Sequence, residues 1–412
     1  MTAYQGFAMF SPARAGSPAF KRMNKAMLYG GFSAFALLYC LQPLMPVLGH
    51  EFALTPAQSS WTLSISTLFM AIALLLSGPA ADRFGAKRLM SAALGAAAVL
   101  ALLCAFAQNF AQLLVLRALL GFALGGMPAV AMAYLSREIE PGSLGLSMGV
   151  YIGGTAVGGM VGRVAASLIS DFFSWRLSMA ATGVAGLYAA FEFWRSLPEP
   201  GNTAAGTGGG ALALLRDARG HLRDSGMRWL FLFSFLLMGA FVSLYNYIGF
   251  RLLGAPFAIG QSAVGLLSVL YLIGMFSAVW AGRLADRIGR RNVLWMVIAS
   301  MLAGLLLTLS NALAVIVAGM ALFTFSFFAS HSVASSWVGR RARGANALAS
   351  ALYLFFYYVG SSVVGSLSGV LWSGAGWSGV VALLALALGL ALAIALHLRA
   401  LEPLAPAQPL PA

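Results

Sequence analysis

Gly78-Pro79-Ala80-Ala81-Asp82-Arg83-Phe84-Gly85-Ala86-Lys87-Arg88 returns 204 residues later as Gly282-Arg283-Leu284-Ala285-Asp286-Arg287-Ile288-Gly289-Arg290-Arg291. Each copy follows an apolar stretch long enough to cross a bilayer. A second pair keeps nearly the same offset. Tyr151-x-Gly153-x4-Gly158-x3-Gly162 returns as Tyr358-x-Gly360-x4-Gly365-x3-Gly369, 207 residues on. The chain therefore reads as two homologous halves that work as one machine.

Composition fixes the solvent. The chain is 60% hydrophobic and 9% charged, with mean hydropathy +0.87, whereas soluble domains keep about a quarter of their residues charged. Such a chain cannot cover a globule with polar surface, so lipid must surround it. Apolar runs at about 26–48, 58–81, 89–108, 111–136, 145–169, 174–196, 228–250, 262–284, 292–310, 312–338, 346–371 and 377–399 are expected to span. They are helices 1 to 12 below. The connections then alternate between two sides. Of the 25 Lys and Arg, only Arg176 and Arg251 fall on one side, and Arg117 and Arg163 fall inside spans. The rest gather on the other side. By the positive-inside rule that rich side is the cytoplasm and holds both termini. The net charge of +14 is thus topology, with some attraction for anionic lipid, and a nucleic-acid partner is excluded. Cys40 and Cys104 sit in apolar runs without CxxC spacing and read as small core residues, so no metal site is expected. The first apolar run is too long for a signal-peptide core.

The organisation follows. Residues 1–25 form a basic tail, disordered through about residue 22. Residues 26–196 are a six-helix bundle. Residues 197–227 are a linker, flexible over the Gly-rich 201–210, then an amphipathic helix through Leu212, Leu215, Arg216, Arg219, Leu222 and Arg223. A second bundle runs over 228–400, and 401–412 is a Pro/Ala tail.

The twin Gly-x-x-x-Asp-Arg-x-Gly-x-Arg/Lys-Arg pattern, in register with the helix count, resembles the loop after the second and eighth helices of the major facilitator superfamily of secondary transporters. The resemblance runs over nearly the whole chain after Lys25. It implies an all-α integral membrane fold of twelve transmembrane helices in two pseudo-symmetric six-helix bundles. It also implies a small-molecule substrate, coupling to protons, no cofactor and a monomer. Tyr151–Arg163, Ser330-His331-Ser332 and Tyr245–Arg251 are similar to the bacterial drug and arabinose-efflux group, which implies proton-coupled efflux across the inner membrane. Uptake or facilitated diffusion of a metabolite, and a non-transporting sensor on the same fold, are the alternatives. No GxSxG, Walker or HExxH motif is present, so no enzymatic activity is expected.

In that family the twin motif acts as a gate. A carboxylate at a helix C-terminus faces the negative end of the helix dipole, so Asp82 and Asp286 need compensation. Arg83 and Arg88, or Arg287 and Arg291, are expected to supply it. So is a helix start from the other half: helix 11 near Asn346 for Asp82, helix 5 near Ser143 for Asp286. Gly78 and Gly282 are expected to allow close helix approach, and Gly85 and Gly289 a tight turn. Lys87 and Arg290 read as topology determinants alone.

Ionisable groups at membrane depth are costly and are functional candidates by default. Arg117 lies in an element resembling the family's helix-4 Leu-x-x-x-Arg-x-x-Gln-Gly, with Leu120 at the Gln position. The resemblance implies assistance to proton transfer; the alternative is a structural role, because helix 1 has no central acid. Arg163 can bind an anionic solute group or pair with Asp171 or Glu51. His331 can carry the coupled proton, since imidazole titrates near neutrality, or stay neutral on a neighbouring serine or the backbone. Gly154, Gly158 and Gly162 form a packing stripe on helix 5. The stripe resembles an antiporter element, with Gly159 in place of its proline and Arg163 in place of its last glycine. Tyr39, Gln42, Tyr245, Asn246 and Tyr357 are expected to line the cavity. That lining suits an amphipathic, neutral or anionic solute.

Overall fold

The structure, a computed structural model, describes residues 12–201, 211–342 and 346–401. The expected tail through residue 11, the Gly-rich linker 202–210 and the final tail from 402 lie outside the described residues.

Ten described helices are long and apolar enough to cross a membrane. Two more spans complete twelve. Helix 6, Trp175–Ser196, is 22 residues long and carries Arg176, Glu192 and Arg195. The 55-residue Asn346–Ala400 is broken at Gly376 (φ 59°, ψ −145°) into helices 11 and 12. The other spans are helix 2 (Pro56–Phe84), helix 3 (Ala86–Cys104), helix 4 (Phe110–Leu124, Pro128–Glu138), helix 5 (Pro141–Phe172), helix 7 (Ser225–Leu253), helix 9 (Arg290–Leu307) and helix 10 (Leu313–Arg341). Helix 8 runs from Gln261 to Ile288 through a 3₁₀ turn at Leu267–Leu270. The amphipathic linker helix is Ala211–Arg223.

Helix 1 starts at Pro18, earlier than the apolar run suggests. Ser17 caps it, accepting from Phe20 N at 3.2 Å, with proline at the first position. Phe20 and Met23 are buried while Lys21 and Arg22 face out, so the basic segment is an amphipathic first turn and not a disordered tail. Before it, Ala13 exchanges backbone hydrogen bonds with Glu138 and Glu140 in the loop between helices 4 and 5.

Helix 1 runs Pro18–Tyr39, then tightens to 3₁₀ over Gln42–Leu44 before resuming at Met45–Glu51. Pro43 has no N–H to continue the ladder. This break frees carbonyls in mid-membrane.

The glycine stripe packs within one bundle. A Cβ on Gly154, Gly158 or Gly162 would lie 3.0 Å from Leu28 O, 2.1 Å from Phe32 O and 2.7 Å from Ala36 Cα, one helical turn apart along helix 1. Gly360 meets Phe235 of helix 7 in the same way, at 2.0 Å. Small residues let the backbones nearly touch.

The two bundles meet along helices 2 and 11, 5 and 8, and 1 and 7. Call the side carrying the Gly85 and Gly289 loops the basic face, and the other the opposite face. Among the described residues, every hydrogen bond between bundles lies in the half toward the opposite face. Thr67 Oγ1 and Ser362 Oγ are 2.8 Å apart, Ser362 donates to Ser64 O at 2.7 Å, and Ser366 donates to Ser64 Oγ at 3.2 Å. Gln261 donates to Pro43 O at 2.7 Å. Asp171 accepts from Ser262 N and Oγ at 3.1 and 2.5 Å, satisfying an orphan N–H at the start of helix 8.

Candidate functional site

The centre of the molecule is built around two buried arginines with different environments. Arg117, from helix 4, is fully buried. Its Nη1 and Nη2 donate to Leu37 O and Leu38 O at 3.0 and 2.5 Å, and its Nε to Thr62 O at 3.1 Å. Leu37 and Leu38 are in the last turn before the helix-1 break, where carbonyls lose their intrahelical partners. Arg117 caps that turn, and its charge complements the helix C-terminus.

Arg163, from helix 5, is 3% exposed. Nε donates to Gln42 Oε1 at 2.6 Å and Nη1 to Gly159 O at 2.7 Å. The Tyr39 and Tyr271 rings lie against the guanidinium, with centroids 4.3 and 4.8 Å from Cζ. Neither expected acid reaches it: Glu51 pairs with Arg176 at 2.5 Å and Asp171 is held by Ser262. A buried charge without a counter-charge costs several kcal/mol, only part of which two aromatic faces return.

Gln42 relays this centre to the second bundle. Its Nε2 donates to Asn246 Oδ1 at 2.7 Å. Tyr245, one residue away, shares a 2.8 Å hydroxyl contact with Thr324. A small cavity beside Arg163, lined by Gln42, Pro43, Tyr245 and Ser268 among others, holds about 10 Å³, room for about one water molecule.

Toward the basic face the lining becomes aromatic. Phe241 stacks on Phe327 at 3.6 Å and packs against Tyr245 and Tyr271 at 5.1 and 5.5 Å. His331 is half-buried, with Nδ1 3.0 Å from the Tyr353 hydroxyl and its ring 4.9 Å from Tyr357. Its partner is thus on helix 11, not a neighbouring serine. The expected residues Tyr39, Gln42, Arg163, Tyr245 and Asn246 converge on one centre; His331 and Tyr357 form a second cluster below it. Tyr271, Gln261 and Thr324 were not expected. Phe323, Phe327 and His331 recur every fourth residue, so one helix-10 face was legible from spacing. Nothing in the sequence marks Tyr271, whose role comes from meeting Arg163 across the bundle interface.

At the basic face Gly85 and Gly289 make the turns, with φ +87° and +88°, values open to glycine. The expected latch is not formed here. Asp82 is exposed, with no hydrogen bond or ion pair among the described residues. Asp286 binds Arg290 at 3.0 Å, with Arg340 at 3.8 Å, all in its own bundle. Arg83 lies over Phe84, Arg88 and Arg287 are exposed, and Arg291 reaches Arg399 O at 3.5 Å. Ser143 hydrogen-bonds Glu140 and Ala15, not Asp286; the Asn346 side chain lies outside the described residues. A Cβ on Gly78 or Gly282 would meet nothing within 4 Å. Among the described residues, no hydrogen bond or ion pair joins the two bundles at this face. Lys87 and Arg290, read as topology determinants, form ion pairs with Glu199 at 3.2 Å and with Asp286.

Residues 27–344 match the sequence model of the Major Facilitator Superfamily. The chain is 44% identical over 380 residues to the MFS-type transporter YybF of Bacillus subtilis, covering 91% of this chain and 93% of that one. It is 47% identical over 375 residues to the inner membrane transport protein YnfM of Escherichia coli, covering 91% and 90%. The crystal structure of a D-xylose-proton symporter superposes with a TM-score of 0.76 at 15% identity, over 93% of this chain and 98% of that one, which is a likeness of fold.

Proposed function

The chain belongs to the Major Facilitator Superfamily, and on that premise we propose that this membrane transporter exports a small organic solute from the bacterial cytoplasm in exchange for protons, by alternating access. The observation that supports this reading is the asymmetry of the bundle interface: among the described residues, every hydrogen bond that joins the bundles lies in the half toward the opposite face. The basic face is the cytoplasm by the positive-inside rule, so both termini are cytoplasmic and this is an inward-open state. In the outward-open state the Asp82 and Asp286 loops close on helices 11 and 5. The half-buried His331, beside Tyr353 and Tyr357, is the proton carrier, and the fold works as a monomer.

Everted membrane vesicles test this. Solute accumulation that depends on an imposed proton gradient, and collapses with an uncoupler, is the expected result. Accumulation in right-side-out vesicles only would reverse the direction. Accumulation indifferent to the uncoupler would remove the coupling.

A further inference from the structure

We infer that the transported solute carries a carboxylate-type anion on an apolar body, and that Arg163 takes the anion. The inference rests on the transport reading above. Arginine has five donors, accepts nothing and stays charged. Here two of its N–H groups go to neutral oxygens, Gln42 Oε1 and Gly159 O. Because Arg163 can only donate, Gln42 must turn its oxygen toward it and its Nε2 toward Asn246 Oδ1. That leaves Asn246 Nδ2 as a buried donor without an acceptor. The Tyr271 hydroxyl, on a ring against the guanidinium, also lacks a partner. The centre therefore has a full positive charge, surplus donors and no carboxylate, since Glu51 and Asp171 are engaged elsewhere. What it lacks is a negatively charged acceptor.

The bundle geometry says how one enters. Gln42 and Arg163 belong to the first bundle; Asn246 and Tyr271 belong to the second. In this closed interface the cavity beside Arg163 holds about one water, too little for a carboxylate. Parting the bundles at this depth withdraws Tyr271 and Asn246 together and bares one side of the guanidinium. Planar bidentate recognition of a carboxylate is what arginine does best. The surrounding rings of Tyr39, Tyr245, Tyr271 and Phe241 suit an apolar or aromatic body.

Thermal shift and calorimetric titration on the full chain in lipid nanodiscs test this, using benzoate, phenylacetate and hexanoate, each against its amide. At least one carboxylate is expected to bind about tenfold more tightly than its amide, the scale of one charged hydrogen-bonded contact. Arg163→Gln should erase that preference. Arg163→Lys keeps the charge and loses the fork, so the preference should fall at least threefold. Equal binding of acids and amides would overturn the inference, as would an undiminished preference in Arg163→Lys. Equal stabilisation by sodium chloride alone, at matched concentration, would reassign the centre to a resident halide and also overturn it. The readout is binding, so a failed vesicle experiment would leave it standing. Amides that bind as well as acids would remove the anion while leaving transport intact.

Discussion

Arg117 and Arg163 carry the same charge at similar depth, and their surroundings give them different work. Arg117 meets three backbone carbonyls, so its removal strands buried acceptors worth roughly 1–3 kcal/mol each. Arg117→Gln should therefore lower the melting temperature of purified protein markedly. A variant that melts normally but transports poorly would instead return Arg117 to proton transfer. His331→Phe keeps a ring against Phe327 and Tyr357 and deletes the imidazole. Vesicle transport by that variant should lose its pH dependence; an unchanged profile would place the proton elsewhere. Both arginines were legible as candidates because charges inside apolar runs are rare and expensive. Their partners were not. The carbonyls that hold Arg117 exist because helix 1 breaks before Pro43, some 75 residues upstream, and no local pattern connects the two.

Helix 5 shows how far spacing reaches at the scale of an element. The glycine stripe announced close packing, but not that helix 1 of the same bundle is the partner. Gly158→Ala puts a Cβ 2.1 Å from Phe32 O, and pushing two helices apart costs roughly 1–3 kcal/mol. Gly149 lies on the same helix and faces open space. Gly149→Ala should be neutral or stabilising by up to about 1 kcal/mol. Thermal melts of the pair separate packing from propensity, and equal shifts would deny the stripe its role. Helix 7 begins with a comparable device. Asp224 caps it through Met227 N at 2.8 Å and binds Arg341 at 2.6 Å. Burial alone would raise this carboxyl, but Arg341 and the amides of Met227 and Gly226 hold it below the usual carboxylate range. Its folded-state pKa is depressed, so its contribution is present above about pH 4 and fades as pH falls through the lowered value. Asp224→Asn should flatten that acid limb of the stability curve, as read by melts between pH 3 and 7.

At the scale of the molecule, two halves, twelve spans and two turn glycines were legible, because each is a local or periodic property. The conformation was not. A sequence that alternates between states must encode the contacts of both, and the Asp82 and Asp286 motifs encode contacts this state does not make. If those carboxylates lock the cytoplasmic side shut, Asp82→Asn should enlarge the inward-open population. Cys40 and Cys104 are buried, so a cysteine introduced by Tyr357→Cys reports the cytoplasmic opening against a low background. Its labelling by an impermeant maleimide in everted vesicles should quicken several-fold in the Asp82→Asn background. Unaltered labelling would exclude the lock.

The interface that is closed here joins the bundles mainly through hydroxyls and amides, most of them shielded from water, with Asp171 the one carboxylate among them. At the other end Asp82, Arg83, Arg88, Asp286 and Arg287 are exposed charges that make no bond across the bundles here. Dissolved electrolyte screens only the latter, over about 8–10 Å at physiological strength. The transporter's two ends thus answer to different physical variables, and added salt alone should tilt it toward the conformation seen here.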